Sequence, residues 1–334
     1  MAILEALDAL IHLRRDLSEL ESQQATEAIL SGKTTEAQIA AFLVALHLKG
    51  ETSAELTGAA RALRSAARTP AYPALSEGAL LDTCGTGGDH SGTFNISTVS
   101  AFVVAGAGLR VAKHGNRSLS STCGSADLIE SLGVDLAHAA TTLESAGIAF
   151  YFAPLFHGAM RHAQPVRAQL KTRTIFNYLG PLTNPAGANI QIAGAFSVKA
   201  AALIAQALAT LGLPRGFVVH GDDGLDEVTT TTTTRVFAID RGEVQPMTLT
   251  PEDFQLRRAA PATLLGGDIT RNRTVALEIL RGTLGPARDV VLANSALALH
   301  AADISLTLPD AVQRAALSID SGAALAKLDA LRRK

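Results

Sequence analysis

The first 68 residues carry apolar side chains at helical spacing. Leucine and isoleucine recur along one face between residues 3 and 11. Residues 35–38 and 52–55 each fit a capping box, and the apolar run after the first one stops at Gly50. This pattern predicts a wholly helical start, followed by a proline-containing linker over residues 68–78.

Beyond Gly78, short apolar runs alternate with helix-like stretches, a pattern typical of a mainly parallel sheet with helices on its faces. The predicted strands are residues 79–83, 110–112, 148–152, 190–196 and 217–220. Residues 236–239, the Arg241-Gly242 pair and a short run after it predict a hairpin. The predicted helices are 97–107, 128–132, 199–211, 271–282, 287–302 and 310–332.

We therefore expect an α/β protein, with a small all-helical domain and a larger α/β domain whose mainly parallel central sheet is flanked by helices. Residues 160–178 have a helical pattern and contain no strand, which suggests that they return to the N-terminal helices. The predicted helical domain is 1–68 with 160–182 returning to it. The predicted α/β domain is 75–159 and 183–334.

Composition narrows the class of protein. Hydrophobic residues make up 47% of the chain and charged ones 18%, which provides for a core and excludes global disorder. The net charge of −2, without a charge block, disfavours nucleic acid or an anionic membrane as a partner. The N-terminus is not typical of a signal peptide, no apolar run approaches about 18 residues, and there are only two cysteines, so we expect a cytoplasmic protein.

A glycine-rich turn follows the first predicted strand. Residues 85–89, Gly-Thr-Gly-Gly-Asp, allow backbone amides to surround an anion, and residues 95–98 then begin a helix whose N-terminus is partly positive. A Rossmann fingerprint is excluded because His90 stands at its last glycine, and a P-loop because its Lys-Ser/Thr pair is missing. By itself this segment could also be an ordinary tight turn.

Two further polar clusters also follow predicted strands. The first is a predicted loop, residues 113–117, Lys-His-Gly-Asn-Arg, with hydroxyl groups after it, and it either grips an anion or is simply solvated. The second, residues 220–227, contains Asp226 and Glu227 in a glycine-bent loop. Hard oxygen ligands of this kind suit Mg²⁺, and an acidic surface turn is the alternative.

The segments 85–89, 95–98, 113–117, 124–127, 173–177, 179–182 and 223–227 stand in an order that resembles the anthranilate phosphoribosyltransferase family of tryptophan biosynthesis. The resemblance extends over essentially the whole chain. It implies a Mg²⁺-dependent enzyme that transfers the phosphoribosyl group of 5-phosphoribosyl 1-pyrophosphate (PRPP) to the amine of anthranilate. It also implies a homodimer formed through the helical domain, and a PRPP site on the α/β domain.

The resemblance implies a set of site residues as well. Those matched to PRPP are Gly85, Thr86, Gly88, Asp89, Asn95, Ser97, Thr98 and Lys113, with Ser121 assisting and Thr93 as a further substrate-binding residue. Those matched to anthranilate are His114, Asn116, His157, Arg167 and Pro181, and those matched to Mg²⁺ are Ser97, Asp226 and Glu227. Arg167 suits a carboxylate because a planar guanidinium can bind it bidentately. Lys113, His114 and Arg167 are the expected catalytic residues.

Three positions depart from the family pattern. His90 stands where glycine is usual, Gly158 replaces a proline, and Lys171 replaces a glycine. We expect His90 to face solvent, and Gly158 to loosen the turn that presents His157. Six consecutive threonines, Thr229–Thr234, favour an ordered strand or loop rim and have no functional assignment.

Two other functions remain as alternatives. A pyrimidine nucleoside phosphorylase shares the general architecture, and residues 113–117 together with Arg167 favour anthranilate over its substrates. A relative that has lost catalysis and binds nucleic acid would need a basic surface, which the net charge of −2 disfavours.

Overall fold

The computed structural model of this protein describes residues 2–68, 78–117 and 122–332. Its N-terminal part consists of helices α1 (Ala2–Ile11), α2 (Glu19–Leu30), α3 (Glu36–Lys49) and α4 (Ser53–Ala66). Ser18, Thr35 and Thr52 each cap the helix that follows in a reciprocal capping box. Such boxes satisfy amides that a helix N-terminus would leave unpaired. The two boxes predicted from the sequence, at Thr35 and Thr52, are confirmed.

A seven-stranded sheet forms the centre of the larger domain. Its strands are β1 (Leu80–Asp82), β2 (Arg110–Gly115), β3 (Ile148–Phe152), β4 (Ile190–Gly194), β5 (Arg215–Gly221), β6 (Thr234–Asp240) and β7 (Glu243–Leu249). The order across the sheet is β3-β2-β1-β4-β5-β6-β7. All pairs up to β5 are parallel, and β6 and β7 are added antiparallel as a hairpin. The predicted mainly parallel sheet with a terminal hairpin is confirmed.

The remaining helices are α5 (Ile96–Gly106), α6 (Ser125–Ser131), α7 (Leu143–Ala146), α8 (Ala153–Phe156), α9 (Gln164–Leu170), α10 (Val198–Thr210), α11 (Ile269–Leu280), α12 (Pro286–Ala302), α13 (Leu308–Asp320) and α14 (Ala323–Arg332). The single helix predicted over 310–332 is wrong, because Gly322 adopts a left-handed φ of 78° and separates α13 from α14. In the part of the chain that the structure describes, no helix is both long enough and apolar enough to cross a membrane.

Both faces of the sheet are covered. In β5, Phe217 and Val219 belong to a core shared with α5, α12 and α13, whereas Val218 belongs to a second core shared with α10 and the N-terminal helices. This is the side-chain alternation expected of a strand that is buried on both faces.

The segment over residues 158–182 contributes to the second core. α9 packs against α3, and Phe176 and Leu179 are buried among the side chains of the helical domain. The segment is not one continuous helix, because single 3₁₀ turns precede and follow α9. Residues of this segment therefore pack with the N-terminal helices although the segment follows β3 in the chain.

Candidate active site

A cavity of about 870 Å³ lies at the carboxyl edge of the parallel strands, the place where open α/β sheets bind ligands. One side is formed by the ends of β1 and β2 and the loop after β5, and the other by residues 153–183. The predicted site residues that line it are Gly85, Thr86, Gly88, Asp89, Thr93, Asn95, Ser97, Thr98, Lys113, His114, Asn116, His157, Arg167, Asp226 and Glu227.

Among the described residues, Pro181 is the one predicted site residue that does not line the cavity. It is buried, and its carbonyl accepts a hydrogen bond from Gln191 Nε2 at 2.6 Å. The neighbouring Gly180 and Thr183 line the cavity instead. Ser121 lies outside the described residues.

The glycine turn is held in one conformation by its neighbours. Gly87 and Gly88 adopt left-handed φ angles of 62° and 74°, which glycine reaches without steric cost. The Thr86 amide donates to the carbonyl of Gly194 at 2.8 Å, and Thr86 Oγ1 accepts from the Phe196 amide at 3.1 Å. The protein's own backbone and side-chain groups therefore hold the turn in this conformation.

Three carboxylates meet where this turn approaches the loop after β5. Asp226 Oδ2 accepts from the Gly87 amide at 2.9 Å, and Glu227 Oε1 accepts from the Ser97 amide at 3.1 Å at the start of α5. The Asp226 amide donates to Asp89 Oδ2 at 3.4 Å. Burial, and then the charge of Asp89, raises the pKa of Asp226; burial, and then the charge of Asp226, raises the pKa of Glu227. A donor set of crowded, hard carboxylate oxygens fits a divalent cation.

The loop that carries these acids depends on two residues that sequence reasoning missed. A Cβ on Gly194, at the end of β4, would lie 1.5 Å from the carbonyl oxygen of Asp226, so only glycine allows this approach. Asn294 of α12 accepts from the Val228 amide at 2.9 Å and donates to the Val228 carbonyl at 2.8 Å. Both contacts join distant parts of the chain, so no local signal in the sequence could have identified them.

The threonine run has a structural explanation. Thr229 Oγ1 donates to Asp223 Oδ2 at 2.6 Å, and Thr231 Oγ1 donates to the same oxygen. Thr234 begins β6, and its Oγ1 accepts from the Thr229 amide at 3.1 Å. The prediction of an ordered loop rim is confirmed, since these bonds fix the loop that presents Asp226.

Lys113 and His114 lie in a strand and not in a loop, because β2 continues to Gly115. The sequence prediction of a loop from residue 113 is therefore wrong at residues 113–115. The Lys113 side chain is only 3% exposed, and its Nζ donates to the carbonyl and hydroxyl oxygens of Thr83 at 3.0 and 3.2 Å and to Ser97 Oγ at 3.4 Å. The strand continues because the fold supplies these polar partners inside the protein.

Asp82, at the end of β1, is the carboxylate that accompanies this buried ammonium. Burial raises the pKa of Asp82 to about 6, although the charge of Lys113 opposes the shift. Its Oδ1 accepts from the His114 amide at 3.1 Å. Lys113 thus provides a cation next to the glycine turn, and Asp82 provides a carboxyl group that compensates its charge.

His114 is held as a neutral ring. Its Nδ1 is 3.1 Å from the carbonyl of Gly180, so Nδ1 carries the proton, and burial lowers the pKa of the ring to about 3. The ring of His157 meets it edge-on at 5.2 Å. His114 Nε2 has no hydrogen-bond partner among the described residues, which leaves an acceptor for a ligand's amine or hydroxyl group.

Asp82, Cys84 and His114 also bring a carboxylate, a thiol and an imidazole within 4.8 Å of one another. Burial, and then the charge of Asp82, raises the pKa of Cys84, so the thiol stays protonated. Because His114 Nδ1 already engages Gly180 and the Lys113 ammonium group lies nearby, the acidic loop is the better cation site.

Arg167, on α9, is a cation available to a ligand. Its guanidinium lies over the ring of Phe176, 5.4 Å from the centroid, and makes no ion pair or hydrogen bond with another described residue. Burial lowers the pKa of Arg167, yet an arginine with this shift stays charged at neutral pH. A planar cation facing the cavity suits a carboxylate.

The three departures from the family pattern are all local. His90 is exposed, as expected, although it borders the cavity and has a left-handed φ of 57°. Lys171 ends α9 at a left-handed φ of 49°, a position at which glycine is preferred. A Cβ on Gly158 would meet nothing within 4 Å, so nothing in the packing requires glycine there.

Comparison with known proteins agrees with this architecture. The model of the glycosyl transferase family, helical bundle domain, matches residues 4–67, and that of the glycosyl transferase family, a/b domain, matches residues 77–325. The chain thus has both domains of a glycosyl transferase.

Named relatives narrow this class. The anthranilate phosphoribosyltransferase of Solibacter usitatus is 53% identical, covering 99% of this chain and 98% of the relative. The crystal structure of the Thermus thermophilus enzyme has a TM-score of 0.91 at 41% identity, covering 100% and 99% of the two chains. The Saccharomyces cerevisiae enzyme in complex with PRPP and Mg has a TM-score of 0.90 at 28% identity, covering 98% and 96%. The chain therefore belongs to the glycosyl transferase family and, within it, to the anthranilate phosphoribosyltransferases.

We expect Gly194→Ala to displace the acidic loop, because the new methyl group would overlap the Asp226 carbonyl. Overpacking of this kind costs about 1–3 kcal/mol of unfolding free energy, and the bond from the Gly87 amide to Asp226 should be lost as well. Thermal melting and calorimetric titration with Mg²⁺ measure the two effects. Gly158→Ala is the matched control, and equal melting temperatures for the two variants would contradict the prediction.

We expect Asp226 and Glu227 to make a contribution to the unfolding free energy of metal-free protein that falls as the pH rises from about 4 toward 8. The pKa values of Asp226 and Glu227 are raised by folding, so the folded state keeps protons that the unfolded state has released. The stability that is present below the ordinary carboxyl pKa is therefore lost as the pH passes through the raised values. Urea unfolding with EDTA across this range measures the slope.

The double variant Asp226→Asn, Glu227→Gln should lack this contribution and so differ from wild type in the slope of unfolding free energy against pH, whereas Glu243→Gln, which alters an exposed carboxyl group on β7, should follow the wild type. Mg²⁺ should restore most stability at the alkaline end, because the cation then replaces the protons. An unchanged slope in the double variant would refute this account of the acidic loop.

Proposed function

We propose that this protein transfers the phosphoribosyl group from PRPP to the amine of anthranilate, giving N-(5-phosphoribosyl)anthranilate and pyrophosphate. The observation that carries the proposal is that one cavity joins an anion-binding turn and three crowded carboxylates to an arginine that has no acidic partner among the described residues. The reaction needs these three features together.

The glycine turn and the start of α5 suit the diphosphate of PRPP. Left-handed Gly87 and Gly88 let successive amides face an anion, and the α5 N-terminus adds partial positive charge. Lys113 stands beside them as a fixed cation. The chain's role at this end is to hold the leaving group and offset the charge that develops on it.

The acidic loop suits Mg²⁺, the ion present with PRPP in the yeast structure. Asp226 and Glu227, with Ser97 beside them, would hold the ion, and Asp89 lies close enough to adjust their charge. When bound, the ion supplies positive charge against the departing pyrophosphate.

The opposite end of the cavity suits anthranilate. Arg167 would bind its carboxylate, and the neutral rings of His114 and His157 would flank the aromatic amine. His114 Nε2 would accept a hydrogen bond from that amine, since this atom has no partner among the described residues. No covalent intermediate is required, since an aromatic amine is nucleophilic and releases its proton easily after the transfer.

We also propose that the chain forms a homodimer through its helical domain, which the family resemblance implies. Large apolar side chains of that domain are exposed, among them Leu13 at 61% and Leu48 at 81%. Sedimentation analysis tests this assembly. The cytoplasm remains the predicted location.

Anthranilate fluorescence should decrease when protein, PRPP and Mg²⁺ are combined, and should stay constant when PRPP is omitted or EDTA is added. Asp226→Asn with Glu227→Gln should remove most turnover while the fold is kept, because the shape remains and the ligand charge does not. Full turnover in rigorously metal-free protein would contradict the role of the acidic loop. Phosphorolysis of thymidine without anthranilate consumption would favour the nucleoside phosphorylase.

Arg167→Ala should raise the KM for anthranilate and leave that for PRPP nearly unchanged. Loss of a charge-assisted bidentate contact costs about 2–3 kcal/mol, or roughly 30- to 150-fold. Arg167→Lys should recover only part of this, because an ammonium group cannot reproduce the planar fork. Arg161→Ala removes another cation of the same cavity and should have a smaller effect. An equal rise in the KM for anthranilate in the two alanine variants would show that only the positive charge of the cavity matters, and would contradict a specific contact by Arg167.

A further inference from the structure

Arg173 contacts the glycine turn from outside the cavity. The turn is held at three successive residues: Thr86 by backbone groups of the sheet edge, Gly87 by Asp226, and Gly88 by Arg173. The first two contacts come from the α/β domain. The third comes from the segment after α9, in which Arg173 Nη2 donates to the carbonyl oxygen of Gly88.

The guanidinium of Arg173 is itself fixed on an aromatic ring. It lies over Phe196, 4.3 Å from the centroid, closer than the 5.4 Å between Arg167 and Phe176. The ring of Tyr178 meets Phe196 edge-on at 5.1 Å. Stacking of this kind orients the planar cation and reduces the entropy that its hydrogen bond would otherwise lose.

These contacts continue into the helical domain. Tyr178 Oη donates to Glu51 Oε2 at 3.4 Å, and Glu51, just after α3, is buried. A continuous series of contacts therefore joins the helical domain to the carbonyl of Gly88 through Arg173.

The bond to Gly88 has a consequence for the cavity. The peptide group between Gly88 and Asp89 is planar and trans, so its N–H points opposite to its C=O. When Arg173 fixes the Gly88 carbonyl on one side, it also fixes the direction of the Asp89 amide on the other. A turn whose amides are oriented in advance binds an anion without having to pay that ordering entropy at the moment of binding.

We propose that Arg173 is a positioning residue for PRPP: it sets the Gly88–Asp89 peptide and makes the shape of the glycine turn depend on the packing of the helical domain. The identity of the ligand rests on the proposed function. The effect on the turn does not, because it exists in the free protein.

The test compares Arg173→Met, which keeps the aliphatic stem and removes the donor, with Arg173→Lys, which keeps one donor. Arg258→Met is the control, since Arg258 pairs with Glu252 on an exposed surface. Hydrogen exchange of residues 85–90 is measured without substrates, and KM values for PRPP and anthranilate are measured separately.

Arg173→Met should accelerate exchange in the turn and raise the KM for PRPP about 10- to 100-fold, while the KM for anthranilate changes less than about threefold. Arg173→Lys should recover part of both effects. Phe196→Leu should act in the same direction, and adding it to Arg173→Met should cost less than the sum of the two, because both act through one contact.

Unchanged exchange and an unchanged KM for PRPP in Arg173→Met would overturn the proposal. So would a fall in melting temperature of more than about 10 °C with both KM values rising equally, since that is the signature of a merely structural arginine. If wild type does not use PRPP, the proposed function fails. The exchange of residues 85–90 then still decides whether Arg173 orders the turn.

Discussion

The close approach of the Asp226 backbone to the end of β4 is the constraint on which the site depends. Because Gly194 has no Cβ, the loop after β5 can lie directly against the neighbouring strand. From there Asp226 reaches the Gly87 amide and Glu227 reaches the Ser97 amide. The absence of a side chain at Gly194 therefore lets the two acids lie between the glycine turn and the start of α5.

The charges gathered at this edge are balanced only in part by the protein itself. Lys113 has Asp82 behind it, whereas Asp89, Asp226 and Glu227 crowd one another. Burial, and after it the neighbouring carboxylates, raises the pKa of Asp226 and of Glu227. Such a site is stabilised by whatever neutralises the carboxylates, either protons or a cation. A ligand that brings a divalent cation together with a diphosphate satisfies the acids, the glycine turn and Lys113 at once.

The sequence predicts those parts of the fold that depend on residues close together in the chain. The capping boxes at Thr35 and Thr52, the parallel strands and the hairpin all follow from patterns within a few residues. The sequence pattern predicts β2 too short because Lys113 and His114 are polar, and their partners, Thr83, Asp82 and Gly180, are remote in the chain. The roles of Gly194 and Asn294 are not visible in the sequence either, because their contacts are also remote in the chain. The helix break at Gly322 is not visible because the apolar pattern continues across it. The family resemblance supplied most candidate residues, and the packing explains how they are held.

Arg167 and Arg173 stand six residues apart on one segment and serve opposite sides of the cleft. Arg167 lines the cavity with a guanidinium that has no ion pair or hydrogen bond among the described residues, and Arg173 donates to the Gly88 carbonyl. The left-handed Lys171 between them ends α9 and turns the chain, which allows one short segment to aim two cations in different directions. Because this segment packs on α3, both arginines are attached to the helical domain. On the proposed function, the segment that binds the amine substrate through Arg167 also orders the turn for the diphosphate through Arg173. The two substrate sites are therefore connected through one short stretch of chain.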